Sequence, residues 1–105
     1  MTALPPAISR QNEIAQIIAD AEVELRPIVK RIFWDIEPDW SGDWAITLRV
    51  VLSNNAARGK NLFKNGKNVE RHLREKLQPD NLGLIAYFRF RSEAEQIELG
   101  KKAWK

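Results

Sequence analysis

The chain has 105 residues, of which 44% are hydrophobic and 30% charged, and it contains no cysteine. Its length favours a single domain with one hydrophobic core. The missing cysteines exclude a disulfide framework, a thiolate metal site and a cysteine nucleophile. The sequence shows no secretory signal and no apolar run of membrane-spanning length, so we expect a cytoplasmic protein.

The net charge of +3 is unevenly distributed along the chain. Residues 1–48 carry four Lys or Arg against eight Asp or Glu, a net charge of −4. Residues 49–105 carry thirteen against six, a net charge of +7. Such asymmetry is typical of a surface that binds nucleic acid or another acidic partner. It is equally compatible with two halves that neutralise each other in the fold.

The first predicted element is an amphipathic helix that follows a short, proline-containing lead-in. Apolar side chains recur at helical spacing from Ile14 to Leu25. Ser9 is the expected N-cap of this helix. Pro27 disfavours helical geometry in the residue before it, so the helix should end there.

A β-hairpin is predicted next. Residues 28–36 are rich in β-branched and aromatic side chains. The segment from Glu37 to Asp43 contains Pro, Asp, Ser and Gly, the residues that favour turns. In residues 44–53 every second side chain is large and apolar, which is the clearest strand pattern in the chain. Two strands joined by a short turn pair antiparallel.

The second half of the chain predicts a helix, a strand and a short helix. An amphipathic helix should run from about Asn61 to just before Pro79; the glycine at position 66 leaves open a kink or a division into two short helices. Its expected apolar stripe is Leu62, Phe63, Val69, Leu73 and Leu77. A third strand follows from residue 84 to 91. The pattern Ser92-Glu-Ala-Glu95 fits a capping box, so a last helix containing Ile97 and Leu99 should begin there and end loosely at Trp104 and Lys105.

These elements predict one α+β domain over residues 1–105. Its order is αββαβ with a short C-terminal helix. A three-stranded sheet with the helices on one face, as a two-layer sandwich, buries every apolar face at once. The pattern leaves the strand order open.

The first candidate site is the sheet face turned away from the helices. Its expected members combine arginines with aromatic and polar side chains: Arg31, Phe33, Thr47, Arg49, Tyr87, Arg89 and Arg91. Arginines interleaved with rings are typical of single-stranded RNA recognition. A partly apolar face, with Phe33, Val51 and Ile85, is typical of a protein interface or a dimer. A third interpretation is a solvated face whose arginines pair with Asp35. We favour the protein interface.

Two further surfaces are candidates. The basic helix carries Lys64, Lys67, Arg71 and Arg74, which could contact phosphates or simply face solvent.

Trp40 in the hairpin turn could be an exposed aromatic anchor, or it could pack on the core. The same turn has oxygen side chains at alternate positions but lacks the Gly and Glu of a calcium loop, so we expect no metal.

Catalytic patterns are not evident in the sequence. His72 is the single histidine and has no serine or cysteine in an elbow motif beside it. The Gly-rich loops that bind phosphates do not occur. We therefore expect neither an enzyme nor a cofactor, and no small-molecule substrate.

Four short segments between Ile32 and Glu93 carry a family resemblance: Trp40-Ser-Gly-Asp43, Arg49-Val-Val-Leu52, Leu73-Arg-Glu75 and Phe90-Arg-Ser92-Glu93. In these the chain resembles a group of small uncharacterised bacterial proteins that tend to be encoded beside HEPN-type helical proteins. The resemblance implies one half of a two-component module, antitoxin-like in character.

The order of elements carries a second resemblance. Helix, hairpin, loop, a step at Lys64-Asn-Gly66, helix and strand is similar to the type II KH order of ribosome-binding factor A. That resemblance implies binding to structured RNA or the ribosome. The sequence thus predicts a non-enzymatic module that binds a protein partner or itself through the open sheet face, with a KH-like RNA-binding protein as the alternative.

Overall fold

Three helices and a three-stranded sheet follow one another in the predicted α+β order. The computed structural model describes residues 4–99. Its helices are α1 (Gln11–Glu24), α2 (Lys60–Leu77) and α3 (Glu93–Leu99), and its strands are β1 (Val29–Pro38), β2 (Trp44–Leu52) and β3 (Ile85–Ser92). Short 3-10 helices at Pro6–Arg10 and Pro79–Leu82 precede α1 and β3. No helix within residues 4–99 has both the length and the apolar character needed to cross a membrane.

The sheet is mixed, with strand order β1-β2-β3. β1 and β2 pair antiparallel as the predicted hairpin. β2 and β3 pair parallel in an unbroken register from Ala45↔Ile85 to Leu52↔Ser92. A parallel neighbour requires a crossover connection, and α2 supplies it. β2 is therefore the central strand, while β1 and β3 are the two edges.

The core lies on one face of the sheet, beneath α1 and α2. Ile46, Leu48, Val50 and Leu52 of β2 each have 0% exposure. The helices contribute buried side chains at the helical spacing that the sequence predicted: Ile14, Ile18 and Ala21 from α1, and Val69, Leu73 and Leu77 from α2. Burial of each Ile, Leu or Val side chain in this core stabilises the fold by about 1.5–3 kcal/mol relative to exposure.

Helix α2 is continuous, so the alternative of a division at Gly66 is wrong. Gly66 is buried, and the position that its Cβ would occupy lies 3.7 Å from the Phe90 ring. The helix thus passes close to β3 here, and a Cβ at this position would lie at ordinary contact distance from the ring. The assignment of Leu62 and Phe63 to the apolar stripe is also wrong, because these side chains are 41% and 69% exposed in the first turns of the helix.

The capping predictions had opposite outcomes. Ser9 is not the N-cap of α1, because it lies inside the first 3-10 helix and its hydroxyl donates to the Pro6 carbonyl. The capping box of α3 is confirmed. The Glu95 N–H donates to Ser92 Oγ at 3.1 Å, and the Ser92 N–H donates to Glu95 Oε1 at 3.0 Å. The expected end of this helix at residues 104–105 lies outside the described residues.

Candidate interaction surface on the open sheet face

The odd-numbered side chains of β2, of β3 and of β1 from Arg31 onward project from the sheet face opposite α1 and α2, which we call the open face; Val29 precedes the β1 bulge, pairs with Leu52 and lies in the core. The strand register arranges them in four rows across the sheet. In order along the strands these rows are Arg31–Val51–Arg91, Phe33–Arg49–Arg89, Asp35–Thr47–Tyr87 and Glu37–Ala45–Ile85. All seven residues that the sequence assigned to this face therefore lie on it, in three adjacent rows.

An ion pair occupies the centre of the open face. Arg49 Nη1 donates to Asp35 Oδ2 at 2.6 Å. The Arg49 side chain is only 16% exposed and that of Asp35 is 44% exposed. Within the described residues, Asp35 Oδ1 and Arg49 Nε are buried and accept or donate no hydrogen bond. Arg49 is thus held by the carboxylate of the neighbouring strand, as the solvated-face interpretation predicted for this arginine.

The hairpin turn contacts the third strand through Asp39. The Tyr87 hydroxyl donates to Asp39 Oδ2 at 2.9 Å. The other oxygen, Oδ1, accepts from the Ser41 hydroxyl at 2.6 Å and from the backbone N–H groups of Ser41 and Asp43. Hydrogen bonds, chiefly from Ser41 and to a smaller extent from Tyr87, lower the pKa of the Asp39 carboxyl below its ordinary value. The bond to Asp39 raises the pKa of the Tyr87 phenol.

One end of the open face is cationic, and we call it the arginine end: Arg31, Arg89 and Arg91. The Arg31 guanidinium lies 5.1 Å from the centre of the Phe33 ring, in cation–π geometry. Arg91 Nη1 donates to Gln96 Oε1 of α3 at 3.3 Å. Arg89 is exposed. This end presents positive charge backed by one half-buried ring.

The opposite end is apolar, and we call it the apolar end: Trp40, Ile85 and Tyr87. These side chains are 95%, 42% and 40% exposed. An open groove of about 570 Å³ lies beside them, lined in part by Gly42, Asp43 and Ile85. The alternative that Trp40 packs on the core is therefore wrong. Val51, which the sequence placed among the exposed apolar residues of this face, is only 3% exposed.

The basic helix α2 lies on the other side of the sheet. Its buried stripe packs on the covered face, and the Arg74 guanidinium lies over the Phe88 ring of that face at 5.0 Å. Lys67 lies 4.7 Å from the exposed Phe63 ring. Of the other predicted basic residues, Lys64 is exposed and Arg71 donates to Asn68. The basic helix and the arginine end therefore lie on opposite sides of the sheet.

Helices α1 and α2 account for part of the charge asymmetry. Within Gln11–Glu24 there are four acidic residues and no basic ones, a net charge of −4. Within Lys60–Leu77 there are six basic and two acidic residues, and six minus two gives +4. The two helices pack side by side, and His72 Nε2 lies 2.9 Å from Glu24 Oε1. The opposite charges of the two halves therefore meet in the fold, and His72 has a structural contact.

Sequence reasoning missed two acidic residues that shape the sheet. Asp39 binds Tyr87 across β2, and Glu22 of α1 accepts the backbone N–H of Ile32 at 2.7 Å. Both contacts join residues distant in sequence, so no local pattern signals them. In the described part of the chain, no group of three or more His, Asp or Glu side chains is placed to hold a metal ion.

The chain was compared with known proteins by family, by sequence and by structure. No family model, no curated protein and no solved structure matches it.

Proposed function

We propose that this protein is a non-enzymatic interaction module that binds a protein partner through the open face. The observation that carries the proposal is the exposure of Trp40, Ile85 and Tyr87 together at the apolar end. Protein interfaces are enriched in Trp, Tyr and Arg, and a few buried aromatic anchors supply most of their binding energy. The strands of the open face present Tyr and Arg, and the adjoining hairpin turn presents Trp.

The pattern of charge on the open face suggests the chemistry of the partner. Exposed rings and Ile85 at one end suit apolar side chains, while the arginine end suits carboxylates. A partner with an apolar patch bordered by acidic residues would match both ends. The resemblance to bacterial proteins encoded beside HEPN-type helical proteins makes such a helical neighbour the first partner to test.

Arg49 has a supporting rather than a contacting role in this proposal. Its guanidinium is engaged with Asp35 and its side chain is 16% exposed. Arg89 is exposed, and the Arg31 side chain is 64% exposed although its Nε lies 3.8 Å from Glu22 Oε2. We therefore expect substitutions at Arg89 to weaken binding directly, whereas substitutions at Arg49 act through the stability of the sheet.

The experiment is affinity purification of the tagged protein from its native host, with nuclease-treated and untreated lysates in parallel. We expect a stoichiometric protein partner that survives nuclease. Trp40→Ala and Tyr87→Ala should each weaken its binding about 10- to 30-fold, as for aromatic residues at the centre of an interface. Phe63→Ala is the matched control, because this ring is 69% exposed but belongs to α2. Equal binding by all three variants would contradict the proposal.

RNA binding is the second candidate, and α2 is the observation that favours it. Six basic residues against two acidic ones, with the exposed Phe63 ring beside Lys67, combine phosphate contacts with a surface for base stacking. This candidate predicts RNA recovery that nuclease abolishes. It also predicts an affinity that falls steeply with salt and a shallower salt dependence in Lys64→Ala. Unchanged binding in Lys64→Ala and in Lys67→Ala would exclude it.

A further inference from the structure

The two edges of the sheet differ in how they are protected from pairing with another strand. β1 carries a bulge between Val29 and Arg31, and the exposed Lys30 lies within that bulge. Glu22 Oε2 also accepts the backbone N–H of Ile32 at 2.7 Å. Bulges, lysines and capped backbone donors are the means by which native proteins prevent edge-to-edge association. The β1 edge is therefore blocked.

The β3 edge has none of these features. Its sequence from Ile85 to Ser92 contains neither proline nor lysine, and its pairing with β2 has no bulge. Within the described part of the chain, no hydrogen bond from outside the β2–β3 ladder reaches the backbone of residues 85–90. The strand is also rich in aromatic residues, which favour strand pairing. Within the part of the chain that the structure describes, the backbone of residues 85–90 thus has one side open, while the Ser92 N–H at the end of the strand belongs to the α3 cap.

We propose that β3 pairs antiparallel with β3 of a second copy of this chain, so that two three-stranded sheets become one six-stranded sheet. Such an interface is isologous, because a two-fold axis brings the same strand from both copies together. Paired residues of antiparallel strands project from the same face, so odd-numbered residues must face odd-numbered ones. The two-fold axis therefore passes through a single residue position of β3.

The side chains select Phe88 as that position. Ile85 then faces Arg91 of the second copy, and Tyr87 faces Arg89, so each guanidinium lies against an apolar or aromatic group. On the helix face, small Ala86 faces large Phe90, and Phe88 faces its own copy. Aromatic pairs and pairs of complementary size are favourable across strands. The strand is therefore complementary to itself over residues 85–91.

Other registers are worse for identifiable reasons. An axis at Arg89 places two Arg89 side chains against each other, and an axis at Phe90 places Arg89 against Arg91. Like charges directly opposite destabilise a strand pair. A two-fold axis at Ala86 or Tyr87 lies near the start of β3, so it pairs fewer strand residues than an axis at Phe88 does. The helix flank tolerates the Phe88 register, since Arg74 above this ring is paired with Glu70 at 3.1 Å.

This inference goes beyond the proposed function, because it concerns pairing of the backbone edge of β3 rather than binding of a partner on the open face. The two can fail separately. Ile85 belongs to both surfaces, so partner binding is tested at Trp40, which lies outside β3. Loss of partner binding in Trp40→Ala should leave the mass of the free protein unchanged, and Ile85→Glu should keep the dimer whatever its effect on partner binding.

The test is the mass of the purified full chain by light scattering and analytical ultracentrifugation over a wide concentration range. We expect a concentration-dependent rise from 12.1 kDa to twice that value. Ile85→Lys places two cations against the two copies of Arg91 and should weaken the dimer about tenfold. Ile85→Glu creates opposite-charge pairs at the same site and should keep or tighten the dimer. Lys30→Glu on the β1 edge should change nothing.

The paired variants keep the result interpretable, because Ile85 is 42% exposed and both substitutions should leave the thermal melting curve intact. A monomer at all concentrations would overturn the proposal. So would a dimer that Ile85→Lys and Ile85→Glu weaken equally, since the register would then be wrong. Protection of the β3 amides from hydrogen exchange only when another protein is added would assign the edge to that protein instead.

Discussion

The ion pair between Arg49 and Asp35 gives the sharpest prediction about the open face. Asp35→Asn keeps the shape of the side chain but removes its negative charge. Arg49 then remains 16% exposed beside a neutral amide, at the centre of a sheet. Arg49→Met keeps an unbranched apolar side chain and removes the cation. The double variant removes both charges, so the four proteins form a double-mutant cycle.

The expected magnitude follows from the geometry. A hydrogen bond between charged groups contributes about 1.5–3 kcal/mol when it is well shielded from water. The N–O distance of 2.6 Å indicates a direct bond, but Asp35 is 44% exposed and solvent screens the pair. We therefore expect a coupling free energy of about 1–1.5 kcal/mol. Asp35→Asn should lower Tm by about 4–8 °C, and Arg49→Met by less.

Urea unfolding followed by circular dichroism measures the four free energies of unfolding, and the variants should share one slope against urea. The free energy of unfolding of the double variant should be higher than the value obtained by adding the losses of the two single variants. A coupling below about 0.3 kcal/mol, which is within the error of additivity, would refute the reasoning. Arg49 would then be held by its neighbours in the sheet rather than by Asp35.

Three other predictions concern individual contacts. Gly66→Ala should raise the free energy of unfolding by about 0.5–1 kcal/mol, because alanine favours a helix interior more than glycine does. The new Cβ would lie at ordinary contact distance, 3.7 Å, from Phe90. A lower free energy of unfolding in urea would contradict this prediction. Ser92→Ala should lower the free energy of unfolding by about 1 kcal/mol, because it removes the N-cap of α3. Urea unfolding measures this change as well, and an unchanged midpoint would show that the cap is dispensable. The hydrogen bond from Tyr87 to Asp39 raises the pKa of the phenol in the folded state. Its contribution to the free energy of unfolding is therefore complete at pH values below the unfolded-state pKa of the phenol. That contribution is lost as the pH rises through the folded-state pKa and the phenol loses its proton. Tyr87→Phe should therefore be less sensitive to alkaline pH in thermal melts, and an identical pH profile would exclude the contact.

Local pattern was sufficient to predict the elements. The alternation in residues 44–53 predicted a strand whose even-numbered side chains are buried, and those of β2 have no more than partial exposure. Helical spacing predicted the buried faces of α1 and α2. The capping box at Ser92 and Glu95 was predictable because both of its hydrogen bonds join residues three positions apart. Each of these features depends on neighbours in sequence.

Features that depend on tertiary contacts were not predictable. The parallel pairing of β3 with β2 is decided by how α2 crosses the sheet. Gly66 breaks no helix because Phe90, which is distant in sequence, packs against it. Whether Trp40 packs on the core depends on the position of the hairpin turn relative to the helices, which no local pattern specifies. In the fold the turn leaves the Trp40 side chain 95% exposed.

The candidate site was predictable in membership but not in character. The period-two rule placed Arg31, Arg49 and Arg89 on one face. It could not tell that Arg49 is engaged with Asp35, or that the exposed apolar side chains gather at one end. The separation of this face from the basic helix is likewise a consequence of packing, because α2 covers the opposite side of the sheet.

The most direct test of the central claim is hydroxyl-radical footprinting of the protein with and without the partner recovered by affinity purification. Trp40 and Tyr87 report on the open face, and Phe63, which is 69% exposed on α2, reports on the other side of the sheet. We predict that the partner reduces labelling of Trp40 and Tyr87 and leaves Phe63 unchanged. Protection of Phe63 with unchanged labelling of Trp40 and Tyr87 would contradict the account and place the interface on the basic helix.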